Sequence, residues 1–151
     1  SKHKIQLFIL GHCMDEKYKN KLKNISSEYN LSSNICFPGF LQSPMNYMPF
    51  FNLIVLPTYE ETFGLVVAEA MLMKVPVLGS NAGGVREIIT HESNGLLFET
   101  RNYKDLQDKI DMVIENSQLR ERIIDNGFNF VNKHYDYYSH FDKFEKIINT
   151  Y

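Results

Sequence analysis

Pro57-Thr58-Tyr59-Glu60-Glu61-Thr62-Phe63-Gly64-Leu65-Val66-Val67-Ala68-Glu69-Ala70 is the stretch whose reading decides the fold of this chain. The four residues ahead of it, Leu53 to Leu56, are a continuous apolar run, as expected of a strand buried on both faces. Pro57 stops that run and a polar turn follows. From Phe63 onward, Leu65, Ala68, Glu69 and Leu72 recur near helical spacing, which places Glu69 on or beside the packed face of a helix. A carboxylate in that position needs a partner. The free N–H groups of the first helical turn, around Gly64 to Val66, direct partial positive charge at the turn. Strand end, polar turn and helix start together suit an anionic or hydroxyl-rich ligand lying across the carboxyl end of the strand. Taken singly, each glutamate also has a plainer reading: Glu61 complements the helix dipole, and Glu69 pairs with a Lys or Arg of a neighbouring helix.

The same alternation extends outward. Ile5 to Leu10 is an apolar run stopped by Gly11 and reads as a buried strand. Asp15 to Tyr29 carries Tyr18, Leu22, Ile25 and Tyr29 at spacings of three and four, an amphipathic helix. Asn34 to Phe37 is a short strand ending at Pro38-Gly39. Ser43-Pro44 has the form of a helix start, and Pro49 cuts that helix short. Val75 to Gly79 is the next strand, with proline near its beginning. Gly83-Gly84 turns into a helix from about Val85 to Thr90; such a turn can hold an anion or sugar hydroxyl on its N–H groups. After a turn at His91 to Gly95 comes a last strand, Leu96 to Phe98. Beyond residue 100 the pattern is helical, with stripes at Leu106, Ile110, Val113 and Ile114, at Leu119, Ile123, Phe128 and Val131, and at Phe141, Phe144, Ile147 and Ile148. These elements predict an open, mainly parallel sheet with right-handed crossovers, whose ligand contacts gather at the strands' carboxyl ends. Residues 37 to 40, 57 to 65 and 79 to 84 all follow strands and so share one edge.

The chain has 151 residues, the size of one domain, and 44% of them are apolar. Sixteen Lys and Arg against 18 Asp and Glu leave a formal net charge of −2, which argues against nucleic acid as a principal partner. Lys17, Lys19, Lys21 and Lys23 read as a solvated helix face, with contact to anionic lipid as the sharper alternative. Cys13 and Cys36 lack the paired spacing of a zinc site and are too few for a disulfide framework, so free thiols in a cytoplasmic protein are expected. His134 and His140 have no grouping that suggests a metal, and no D-x-D triplet offers a metal-carboxylate route to a nucleotide diphosphate. No apolar run approaches the roughly 18 residues of a membrane span.

Glu61-Thr-Phe-Gly-Leu-x-x-x-Glu69-Ala70 resembles the E-x7-E motif of retaining GT-B glycosyltransferases of family GT4. The resemblance continues in Met71-Leu-Met-Lys-Val-Pro76-Val-Leu-Gly-Ser80 and in Asn81-Ala-Gly83-Gly84-Val-Arg-Glu87-Ile, which match the family's helix, Pro-Val strand and Gly-Gly turn in order and spacing. It is specific over residues 36 to 99. The fold implied is α/β: a three-layer α/β/α Rossmann-like domain with a mainly parallel sheet, the C-terminal half of a GT-B fold lacking its first strand, over residues 1–151 with a helical region from about 102.

The function implied is sugar transfer with retention from a nucleotide-sugar donor, UDP- or GDP-linked, to a glycan or lipid-linked acceptor in bacterial surface polysaccharide biosynthesis. The resemblance makes Glu61 the catalytic carboxylate facing the oxocarbenium-like centre. It assigns Thr62, Phe63, Gly64 and Leu65 to the donor, largely through backbone N–H groups, and Glu69 to the ribose hydroxyls. Phe37, Gly39 and Phe40 line the base pocket, and Gly83 and Gly84 approach the sugar. No cofactor or metal is expected. The family's basic residues for the diphosphate and its acceptor-binding domain find no counterpart in the sequence, so the expectation is an inactive donor-binding fragment that acts within a longer, cytoplasmic protein, at most peripherally attached to the inner face of a membrane. A missing central strand further predicts that the strand at 5–10 pairs directly with that at 53–56, or that strands are exchanged in a dimer. The alternatives are a non-catalytic nucleotide-sugar-binding module and another GT-B enzyme such as a sugar-nucleotide epimerase.

Overall fold

Short-range chemistry sets the first elements. The Asp15 carboxylate accepts from the N–H groups of Lys17 at 2.8 Å and Tyr18 at 3.2 Å, which caps the helix α1, Glu16–Glu28. A computed structural model describes residues 4–135, and the chain divides into two units, one ending at Pro44 and the other beginning at Met45. The stripe at 141–148 therefore lies outside the described residues.

In the first unit, strand β1, Leu7–Leu10, pairs in parallel with β2, Ile35–Gly39. Two sequence expectations are corrected here. β1 is not a buried strand: Leu7, Phe8 and Leu10 are all well exposed, because β2 is its one strand partner among the described residues. β2 does not stop at Pro38 but runs through it to Gly39. The register passes from Phe8↔Cys36 to Leu10↔Gly39, so Phe37 and Pro38 together stand opposite Ile9. A bulge of this kind absorbs a residue that has no N–H to give. On α1, Lys19 lies 3.2 Å from Glu16. Its hydrogen bond and charge hold the Glu16 carboxyl below its ordinary value; any support from this exposed pair is present at neutral pH and is lost as the pH falls through the carboxylate's titration.

Two tight 3-10 turns, Pro44–Asn46 at the boundary of the units and Met48–Phe50 within the second unit, replace the single helix expected after Ser43. In Met48–Phe50, Pro49 occupies the first turn, where its missing N–H costs nothing. Three strands follow, β3 (Ile54–Leu56), β4 (Val77–Ser80) and β5 (Leu96–Phe98), all parallel and in that spatial order. β4 is buried throughout because it has a strand on either side. β3, paired on one side only among the described residues, is half-buried rather than buried on both faces. Direct pairing of β1 with β3 is not among the strand pairs of the described residues.

Helices α2 (Leu65–Leu72), α3 (Val85–Ile88), α4 (Tyr103–Glu115) and α5 (Ser117–His134) complete the unit. Successive β4 residues feed two cores, as alternation in a strand requires. Val77 packs with Val67, Met71, Val85 and Ile88, and Leu78 with Leu96, Val113, Leu119 and Ile123. The packed face of α2 differs from the one expected: Val67, Ala68, Ala70 and Met71 are buried, whereas Leu65 and Leu72 are exposed. The cause is α5, where a Cβ on Gly127 would lie 3.0 Å from Met71 Cγ, so the two helices meet without an intervening side chain. Glu69 is left half-buried at the margin of that face. In α5 the buried stripe is Leu119, Ile123, Gly127 and Val131, while Phe128 is only half-buried.

α3 ends at Ile88 rather than Thr90 because a side chain takes over its last bonds. Buried Asn94 donates from Nδ2 to the Ile88 carbonyl at 2.9 Å and accepts from the Thr90 N–H at 2.7 Å. Asn94→Ala would strand both backbone groups, and a loss of about 1–3 kcal/mol in chemical denaturation is expected.

Candidate functional site

The carboxyl ends of β3 and β4 lie side by side, and the segments that leave them are joined backbone to backbone. The Gly84 N–H donates to the Glu61 carbonyl at 2.8 Å. A Cβ on Gly83 would run into that same carbonyl oxygen, and one on Gly84 into the Thr62 carbonyl and, at 2.8 Å, Phe63 Cα. Both residues are glycine because no side-chain atom fits between the two loops. Gly83 also has a φ of 50°, in the left-handed region that costs other residues energy.

Inside the first loop, the Thr58 hydroxyl donates to the Glu60 carbonyl at 2.9 Å, and the Phe63 N–H approaches Glu61 Oε1 at 3.4 Å. Gly64 then takes a φ of 79° and stands at the N-cap of α2 with no side chain to cap the helix. The N–H groups that open α2 are consequently offered at the loop rather than consumed by a capping oxygen. The Glu61 side chain stays close to this helix start, since a Cβ on Gly64 would lie 3.7 Å from its Cγ. Glu61 and Glu69 are both half-buried.

Six of the residues singled out from the sequence are therefore brought together: Glu61, Thr62, Phe63 and Gly64 from one loop, Gly83 and Gly84 from the next. Leu65 opens α2 with its side chain in solvent, and Glu69 lies one turn further along the same helix. Phe37 and Gly39 lie within β2 and Phe40 just after it with its ring exposed, all in the first unit. The sequence reading missed a contact at the same edge of the sheet: the Arg101 guanidinium stacks 5.0 Å from the centre of the Tyr59 ring. The available signal was charge, Arg101 being the one basic residue between Phe98 and Tyr103. Phe63 in turn meets the Tyr135 ring edge-on at 5.7 Å.

The site is an open edge. A groove of about 580 Å³ beside β5 and α4 includes Asn81, His91, Glu99 and Lys109 in its lining, but neither Glu61 nor Glu69. Among the described residues no group of three or more His, Cys, Asp or Glu side chains is arranged to hold a metal ion, and no helix is long and apolar enough to cross a membrane.

This arrangement agrees with what the chain resembles. The family model described as glycosyl transferases group 1 matches residues 1–130. An uncharacterized glycosyltransferase of Methanocaldococcus jannaschii is 33% identical over 120 residues, 79% of this chain and 34% of that protein. The capsular polysaccharide biosynthesis glycosyltransferase CapM of Staphylococcus aureus is 25% identical over 149 residues, 99% of this chain and 39% of that protein. The crystal structure of Anabaena HepE in complex with UDP superposes with a TM-score of 0.91 at 24% identity, over 97% of this chain and 41% of that one. The chain thus spans about a third to two fifths of the length of these proteins. Motif, parallel α/β fold and family match lead to one conclusion: the chain belongs to the glycosyl transferases group 1 family and has the fold of the C-terminal domain of a GT-B glycosyltransferase.

Proposed function

We propose that this chain is the donor-binding part of a retaining glycosyltransferase of the GT4 type, which moves a hexose from a UDP- or GDP-linked donor to a glycan or lipid-linked acceptor in bacterial surface polysaccharide assembly. The observation that carries the reading is the backbone junction of the 61–64 loop with Gly83-Gly84 at the uncapped start of α2. Such a junction offers fixed N–H donors to negative charge and places a carboxylate beside them, which is what departure of a nucleoside diphosphate from an anomeric carbon demands. The likeness to CapM and to the UDP complex of HepE supports the same reading.

In this proposal the N–H groups of Phe63, Gly64 and Leu65 hold the sugar and diphosphate. Glu61 accepts from donor-sugar hydroxyls and faces the carbon on which positive charge develops. Glu69 accepts from the two ribose hydroxyls, a role for which the paired oxygens of a carboxylate are suited. Gly83 and Gly84 approach the sugar. No cofactor or metal ion is assigned a part. The acceptor is held by the longer protein, in the cytoplasm at the inner face of a membrane, and the chain on its own is expected to bind donor weakly at best and without turnover, with strand exchange between two copies as one way to cover its open sheet edges.

The test is a calorimetric titration with UDP, GDP and ADP and their glucose conjugates, repeated on Glu69→Ala. One nucleotide series should bind, and the substitution should weaken it by roughly 1–3 kcal/mol, the cost of losing hydrogen bonds to a charged acceptor. Undiminished affinity in Glu69→Ala would remove the ribose role, and failure of every nucleotide to bind the longer protein would remove the donor reading.

A further inference from the structure

The three loops at the carboxyl edge of β3, β4 and β5, residues 57–64, 81–84 and 99–102, carry three carboxylates, Glu60, Glu61 and Glu99, and a single basic side chain, Arg101. Within these loops the repulsion of a phosphate by three acids is opposed by Arg101, while Arg86 and Lys104 stand just beyond them at the starts of α3 and α4.

Arg101 is also held in an unusual way. Its φ of 66° lies in the left-handed region, which non-glycine residues adopt at a cost. Adjacent strands are about 4.8 Å apart, so the loop after β5 starts about 10 Å from the loop after β3, with β4 between them. Tyr59 nevertheless reaches Arg101, and its ring lies 5.0 Å from the guanidinium carbon. Stacking occupies a face of the guanidinium and leaves the N–H groups on its edges. Among the described residues no carboxylate forms an ion pair with Arg101. Tyr59 is itself 62% exposed, so the pair sits at the surface where a ligand can reach it. A planar guanidinium fixed by its face, with its donors on no carboxylate among the described residues, has the geometry that grips two phosphate oxygens at once.

We propose that Arg101, oriented by Tyr59, is the phosphate-binding side chain of this edge, a role that rests on the nucleotide-sugar reading above. The phosphate has two sources, the diphosphate of the donor or a phosphate group on the acceptor, and the chemistry of recognition is the same for both.

The experiment is titration of the longer protein with UDP, with uridine and with inorganic diphosphate, the last both alone and in the presence of saturating UDP. It is run on the unsubstituted protein and on Arg101→Gln, Arg101→Lys and Tyr59→Leu, with thermal melts to confirm folding. Arg101→Gln should weaken diphosphate binding about tenfold and leave uridine unchanged. Arg101→Lys and Tyr59→Leu should fall between, since the first keeps charge without the fork and the second keeps the fork without its platform. If UDP weakens in parallel and blocks diphosphate, the donor is the source; if diphosphate still binds beside UDP and only that binding weakens, the acceptor is. Unchanged diphosphate affinity in Arg101→Gln, or none in the unsubstituted protein, overturns the proposal. Glu69→Ala in the same series separates the two ideas: it should weaken UDP and leave inorganic diphosphate alone, so the donor reading and the Arg101 role fail by different measurements.

Discussion

Gly84→Ala is expected to lower stability by about 2–3 kcal/mol and to reduce nucleotide affinity at the same time. The reason is steric rather than conformational. Gly84 has a φ of −64°, which any residue adopts, but the new methyl would meet the Thr62 carbonyl and, at 2.8 Å, Phe63 Cα. Those are backbone atoms and cannot rotate aside. The 61–64 loop must move away, and with it go the bond from Gly84 N–H to Glu61 and the placement of the Glu61 carboxylate. Gly39→Ala is the control. A Cβ there has nothing within 4 Å, and the cost is limited to its φ of 82°, about 1 kcal/mol. Urea denaturation of both variants, with nucleotide titration of Gly84→Ala alone, checks these outcomes. Equal small losses in both would mean that the two loops yield independently.

Glu61→Gln is expected to do the opposite, removing turnover by about 10²–10³-fold while leaving stability nearly unchanged. Within the fold Glu61 acts chiefly through its backbone, whose carbonyl takes the Gly84 bond. Among the described residues its carboxylate makes one long hydrogen bond, accepting at 3.4 Å from the Phe63 N–H, which the amide oxygen of glutamine can keep. The change therefore isolates charge from shape. Product formation by the longer protein, measured with donor affinity and melting temperature, is the readout. A variant that turns over normally would take the catalytic role from Glu61, and one that unfolds readily would make the carboxylate structural.

Local signals carried much of the fold into the sequence. Pro57 after four apolar residues and Gly64 before a helical repeat set strand, turn and helix within a span short enough for nearest-neighbour chemistry to decide, and the structure has β3 and α2 where that chemistry puts them. The spacing of Tyr18, Leu22, Ile25 and Tyr29 likewise announced α1, and the family motif was readable because it lies in one continuous segment. Burial was less legible. The apolar run at 7–10 is exposed, and α2 packs through Val67 and Met71 rather than Leu65 and Leu72; a helix or strand with apolar residues on more than one side takes its inner face from what it meets. Gly127, a residue without a side chain, made that choice for α2.

The sequence by itself determined the strand-turn-helix unit, the two glutamates eight residues apart and the Gly-Gly turn, because each depends on residues near one another in the chain. Only the tertiary structure decided that Gly83 and Gly84 press against Glu61 and Thr62, 22 residues away, and that Tyr59 stacks on Arg101, 42 residues away. Parallel strands are joined by crossovers that separate their carboxyl-end loops in sequence, so contacts between those loops come into being only when the sheet forms.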